Sequence, residues 1–149
     1  MACVLGRGGS KVLKREGDGA TPLGRYAARE VLFNPKAQRR PRTGLPVRAI
    51  APRDGWCDAV SDRNYNRPVR HPYPASAERL WRDDGVYDLV VVLDYNIRPR
   101  SRNLGSAIFM HVARPGYLPT EGCIALSRAD LLKVLRVVRR GSAVDTRRA

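Results

Sequence analysis

The apolar positions of this chain come in short bursts, cut by glycine and proline at close intervals. Long amphipathic runs are few, and that punctuation predicts a domain of short β-strands. "KVLKREGDGATPLGRYAAREVLF" predicts a strand, a glycine-rich turn and a second strand, with Gly17 and Gly19 supplying positive φ at the turn. "NPKAQRRPRTGLP" is basic and turn-rich and predicts an exposed loop, and "VRAI" predicts a short strand. "DGWCDAVSDRNYNRPVRHPYPAS" has little periodicity and predicts a long ordered loop or a substrate-facing lid. Ser76 is placed to cap a short helix through "AERLWR", ended by Asp83, Asp84 and Gly85.

The second half patterns more clearly. "VYDLVVVLDYN" holds a continuous apolar run from Leu89 to Leu93, whose consecutive valines predict a central strand buried on both faces. "GSAIFMH" predicts the next strand, with Ala107, Phe109 and His111 on one face and Ile108 and Met110 on the other. "CIAL" predicts a further strand. Ser127 and Asp130 then suit a capping box before "LLKVLRVV", where Leu131, Leu132, Leu135 and Val138 follow helical spacing. The tail "RRGSAVDTRRA" is polar and is expected to fray. One domain over residues 1–149 is expected, with its core in about 5–140.

Charge adds a question about partners. The formal net charge is +14, and arginine supplies most of it, since only Lys11, Lys14, Lys36 and Lys133 are lysines. Such a balance favours a polyanion: nucleic acid, an acidic membrane surface or an anionic wall polymer. Nucleic acid is not the expected partner, because the aromatic residues are not interleaved with arginine on a strand platform. No window is long and apolar enough to span a membrane. The N-terminal "MACVLGRGGSK" has a five-residue apolar start followed by Arg7 and Lys11, which is no signal peptide. Two compartments therefore stay open: the cytoplasm, or an extracytoplasmic site reached through a signal encoded ahead of Met1.

Candidate chemistry narrows quickly. "GRGGSK" misses the phosphate-loop spacing, with Ser10 where the second glycine belongs. Cys3, Cys57 and Cys123 are odd in number and contain no CxxC, so they make no disulfide framework. A zinc site would need Cys57, His71, His111 and Cys123 to converge with no closely spaced ligand pair, and no metal or cofactor is expected. Cys57 suits a small core or loop position. His111 and Cys123 are different, since one ends a strand and the other begins the next. A neutral thiol has a pKa of roughly 8.5, so a nearby imidazole must take its proton as the sulfur attacks a carbonyl. Gly122 allows a sharp turn and close substrate approach, and the backbone N–H groups of Gly122 and Cys123 are candidates for an oxyanion hole. A buried structural cysteine with an unrelated histidine explains these two residues as well.

His111, Thr120, Gly122, Cys123 and Ile124, in that order, resemble the catalytic motif of the L,D-transpeptidases, the YkuD-type domain. "KREGDGATPLGRY" and "DLVVVLDYN" resemble that family's early hairpin and central strand. The resemblance covers residues 5 to about 140 and implies a mainly β fold, a mixed β-sandwich or barrel-like domain with one or two short helices. It implies that Cys123 attacks a peptidoglycan stem peptide, expels D-alanine and forms a thioester, which an amine of a second stem then resolves into a cross-link. It makes His111 the general base and the Val112 carbonyl its orienting partner, and implies that a carbapenem acylates the thiol. Arg114, Tyr117, Thr120 and Glu121 are the substrate-binding candidates on the same loop. Two positions depart from the motif: Glu121 stands where the family has a second histidine, and Ala125 where it has arginine or asparagine. These leave the attack intact and the acceptor step open, so a carboxypeptidase or amidase acting on muropeptides is the alternative, and a non-catalytic basic wall- or nucleic-acid-binding module a third. The resemblance implies stem peptides as partners, an extracytoplasmic location and no cofactor; a monomer is expected.

Overall fold

A computed structural model describes residues 1–148, so only Ala149 of the tail lies outside the described residues. The strands are β1 (Cys3–Val4), β2 (Ser10–Lys11), β3 (Thr21–Pro22), β4 (Arg25–Phe33), β5 (Val47–Ala49), β6 (Asp54–Cys57), β7 (Pro68–Arg70), β8 (Ala77–Arg79), β9 (Leu89–Leu93), β10 (Phe109–Val112), β11 (Ile124–Leu126) and β12 (Ala143–Asp145). One α-helix, α1 (Arg128–Val137), follows β11. The main sheet runs β1-β11-β10-β9-β4-β12, with β5 also paired to β4; β7-β6-β8 and β2-β3 form two smaller sheets. The chain is mainly β as expected, and among the described residues no sheet closes into a barrel.

Strand β9 is the spine of the fold. All five of its residues are buried, and it pairs antiparallel with β4 on one side and β10 on the other. Leu89, Val91 and Leu93 face one core layer with Ile108, Met110, Ile124 and Leu126, and α1 covers that layer through Leu131 and Leu135. Ser127 caps α1 by accepting from the Asp130 N–H. The Asp130 carboxylate turns to Lys133 instead of reaching back, so the reciprocal half of the capping box is not made. Val90 and Val92 face the second layer with Phe109 and Cys123. There Trp56 of β6 stands edge-on to Phe109 at 5.1 Å, and buried aromatic pairs of this kind stabilise by about 0.5–1.5 kcal/mol beyond their area. The main sheet thus has a helix on one face and the small β7-β6-β8 sheet on the other.

Four local expectations are corrected. Residues 54–76 are not one loop: Gly55, Trp56 and Cys57 are buried strand residues, paired on both sides by β7 and β8. Residues 77–79, expected as the first turn of a Ser76-capped helix, form β8, because pairing with β6 outweighs a weak helical propensity. The early hairpin is absent: β2 and β3 pair in parallel, and Val12 and Leu13 are exposed. The connection is held by Asp18, which accepts from the Arg15 and Ala20 N–H groups and pairs with buried Lys14 at 2.7 Å. The tail, expected to fray, supplies edge strand β12, and the Thr146 hydroxyl donates to the Pro22 carbonyl at 2.6 Å and accepts from the Gly24 N–H.

Candidate active site

Strands β10 and β11 run parallel, with Met110 opposite Ile124 and His111 opposite Ala125. Side chains alternate across a strand, so Phe109, His111 and Ala125 share the face turned toward the small sheet. Cys123 precedes β11 by one residue and lies on that face beside Phe109, so His111 is its diagonal neighbour. The connection between them turns through a single 3-10 turn at Pro115–Tyr117, with Gly116 at φ 75° and Tyr117 at φ 54°.

The cysteine end of this connection is pinned. The Arg7 N–H donates to the Thr120 carbonyl at 2.8 Å, and the Thr120 N–H donates to the Leu5 carbonyl at 3.1 Å. Buried Thr120 turns its hydroxyl inward, donating to the Cys123 carbonyl at 2.6 Å and accepting from the Gly122 N–H at 3.2 Å. Gly122 has φ +127°, and a Cβ there would stand 2.7 Å from the Ala20 carbonyl oxygen. Both the dihedral and the close approach require glycine.

Cys123 and His111 are both buried. The Cys123 Sγ–H donates to the Ala107 carbonyl at 3.1 Å, and the sulfur accepts from the Phe109 N–H at 3.4 Å. Burial pushes the thiol up to about 12, and the charge of Glu78 acts in the same direction. Burial holds the His111 imidazole below its ordinary value; the Val112 carbonyl opposes this, and Arg114 and Arg82 add to it. His111 Nδ1 lies 2.9 Å from the Val112 carbonyl oxygen. A carbonyl only accepts, so Nδ1 carries the proton and Nε2 keeps a basic lone pair. Tyr87 stands edge-on to the imidazole with centroids 5.4 Å apart, and its hydroxyl donates to Glu78 Oε1 at 2.5 Å. This arrangement suits a neutral thiol that loses its proton to a base as it attacks, rather than a preformed thiolate–imidazolium pair.

A cleft of about 310 Å³ opens over these groups, and Cys123, His111, Arg114, Thr120 and Glu121 all line it. Four of the expected residues take unexpected positions. Tyr117 is 39 % exposed and lies outside the cleft lining, where Leu118 takes its place. Thr120 uses its hydroxyl to close the cysteine loop. The Gly122 N–H is held by Thr120, which removes it from the two expected oxyanion donors. Glu121 meets Arg7 at the mouth, 2.8 Å from Nε. Cys3 is exposed, and Cys57 and His71 lie outside the cleft lining.

The sequence reading missed Glu16, Asp58, Glu78, Arg82 and Tyr87, which also line the cleft. Asp58 and Glu78 come from the region expected as a lid and a helix. The catalytic-domain model of the YkuD L,D-transpeptidases matches residues 1–145. No curated protein and no solved structure matches the chain. With a mainly β fold and a match that spans nearly its whole length, the chain belongs to the YkuD L,D-transpeptidase catalytic-domain family.

Proposed function

We propose that this protein is a cysteine-dependent L,D-transpeptidase acting on peptidoglycan stem peptides. The observation that carries the reading is the convergence of Cys123 and His111 on one cleft, with the imidazole tautomer set by the Val112 carbonyl. In the first half-reaction His111 Nε2 takes the Sγ proton as sulfur attacks the carbonyl before the terminal D-alanine. The tetrahedral oxyanion is met by the Cys123 N–H, the remaining one of the two expected backbone donors. Its collapse breaks the C–N bond, the imidazolium returns the proton to the leaving amine, and D-alanine departs from a thioester. An amine of a second stem peptide then attacks the thioester carbonyl, loses a proton to His111 and forms an amide as the thiol is restored. Arg114, on the cleft wall, is suited to a stem-peptide carboxylate.

The family implies a peptidoglycan substrate and is usually extracytoplasmic, which supports a reaction on wall material. Among the described residues no helix is long and apolar enough to cross a membrane. The basic surface is suited to an anionic wall polymer. The test is a tetrapeptide stem ending in D-alanine, followed by mass spectrometry. Release of D-alanine with a new amide between two stems is the expected result. Release with gain of water identifies a carboxypeptidase instead. No release at any pH between 6 and 9 rejects the proposal and leaves a binding module.

A further inference from the structure

Asn66 lies in the connection between β6 and β7, outside the cleft lining, and is buried. Its side chain makes every hydrogen bond that an amide can make. Oδ1 accepts from Trp56 Nε1 at 2.9 Å and from the Ala107 N–H at 3.1 Å. Nδ2 donates to the Asn96 carbonyl at 2.7 Å and to the Tyr95 carbonyl at 3.2 Å. Two N–H donors on one side and two carbonyls on the other allow a single orientation of the amide. A buried polar group with all its partners in place is a rigid point of attachment.

What it holds is a residue in a conformation it does not favour. Ala107 has φ +53°, in the left-handed region that an alanine Cβ opposes. The approach to it is tied as well: the Gly105 N–H donates to the Tyr65 hydroxyl at 3.0 Å, and the Gly105 carbonyl accepts from Asn96 Nδ2 at 2.9 Å. Asn66 fixes the peptide plane ahead of Ala107, and the positive φ turns the next plane toward the cleft sulfur. There the Ala107 carbonyl accepts the Cys123 Sγ–H at 3.1 Å. Among the described residues no hydrogen bond joins Sγ to the His111 ring, whose Nδ1 is engaged by the Val112 carbonyl. An accepting carbonyl favours the thiol over the thiolate. The Phe109 N–H, 3.4 Å from the sulfur, acts the other way.

We propose that Asn66 is a positioning residue for the thiol: it holds Ala107 left-handed, so that the Ala107 carbonyl latches the Cys123 proton until a peptide in the cleft draws the sulfur to His111. The purpose of the latch rests on the function proposed above, whereas its geometry and its first test do not. Between turnovers the latch keeps the sulfur protonated and slow toward small electrophiles.

The test is alkylation by iodoacetamide at about pH 8, with each cysteine followed by peptide mapping. Asn66→Gly suits φ +55° at that position and removes only the side chain. The charges that act on the thiol, Glu78 against its ionisation and Lys14 for it, are left in place. Labelling of Cys123 is expected to quicken by about threefold to tenfold, the scale of one hydrogen bond. Cys57 is the internal control, because its carbonyl accepts from the Asn66 N–H at 2.8 Å and its side chain is fully buried. Loosening of the small sheet would expose Cys57 too, so its labelling is expected to stay at the parent rate. Adding Ala107→Gly is expected to bring the Cys123 rate back to within about twofold of the parent, since glycine takes positive φ without a clamp. A Cys123 rate that does not rise, that rises only together with Cys57, or that Ala107→Gly does not bring back overturns the proposal.

Should Asn66→Gly not fold, the infrared S–H stretch of the parent decides. Subtracting the spectrum of Cys123→Ser isolates the Cys123 band. It is expected below the frequency of an alkyl thiol in hexane, and a band at that free-thiol frequency overturns the latch. Peptide substrates separate this proposal from the previous one. D-alanine release with a failed labelling test keeps the transpeptidase reading and rejects the latch. A passed labelling test without D-alanine release keeps the latch and rejects the transpeptidase reading.

Discussion

Cys57 and Cys123 make an instructive pair. Both are buried and free, and burial raises both thiols. Cys57 ends β6 with its N–H donating to the Arg67 carbonyl and its carbonyl accepting from the Asn66 N–H. The chain's other histidine, His71, presses its ring on the backbone of Gly55, where a Cβ would meet Nε2 at 2.5 Å, and its Nε2 has no hydrogen-bond partner. Neither residue lines the cleft. Cys123 differs in having a histidine on the same sheet face, a cleft above both, and a loop tied down by Thr120. Residue type, burial and a raised pKa are thus common to a cysteine in the cleft and one outside it. Strand register separates them.

The sharpest way to break that comparison is to delete each sulfur in turn. Cys123→Ala abolishes D-alanine release from a tetrapeptide stem, while Cys57→Ala retains it and lowers stability by about 1–2 kcal/mol in a denaturant titration. Equal loss of release in both variants contradicts the assignment. The histidines follow with a smaller effect. His111→Gln slows acylation by about 10²–10⁴, the usual worth of a positioned base, and His71→Gln leaves it within about twofold. Stopped-flow acylation rates decide between them. Thr120→Val then tests the loop: losing the bonds to the Cys123 carbonyl and the Gly122 N–H costs about 1–3 kcal/mol and slows acylation by roughly tenfold. Gly122→Ala is worse for the fold than for the chemistry alone, because φ +127° and the contact with Ala20 are both violated.

The pH response is the gentlest test. His111 has a folded pKa below its ordinary 6.5, so the unfolded chain binds more protons there, and stability is lost as pH falls from about 6.5 through the folded value. Cys123 has a folded pKa of about 12 against an ordinary 9.0, so only the unfolded thiol ionises above 9, and stability is lost as pH rises from 9 toward 12. His111→Gln reduces the loss on the acid side, to which Asp18 and Asp84 also contribute, and Cys123→Ala reduces the loss on the alkaline side, to which Cys57 and the buried tyrosines also contribute, read from melting temperatures across pH. A variant whose pH profile parallels that of the parent contradicts the group assigned to it.

How much of this was legible in the chain depended on pattern length. The run from Leu89 to Leu93, the alternation from Ala107 to His111 and the spacing of Leu131 and Leu135 each report a whole element, so the central strands and the helix were readable. His111 and Cys123 stood at the ends of those readable elements. Strands β6, β7 and β8 are three or four residues long, too short for period-2 alternation to stand out from a loop. Their pairing with one another is long-range, and no local window contains it. The acids of the cleft ride on those strands and loops, which is why Asp58 and Glu78 were misplaced with them. The same holds for β12, whose polar sequence looks frayed until the edge of β4 is available to it.

The central claim is that the Cys123 thiol, served by His111, is the nucleophile of this cleft. Incubation with a carbapenem followed by intact-mass measurement and peptide mapping tests it most directly. The expected result is a single adduct on the peptide containing Cys123, formed far more slowly in His111→Gln and absent in Cys123→Ala. An adduct that persists in Cys123→Ala, or that maps to Cys3 or Cys57, contradicts the claim.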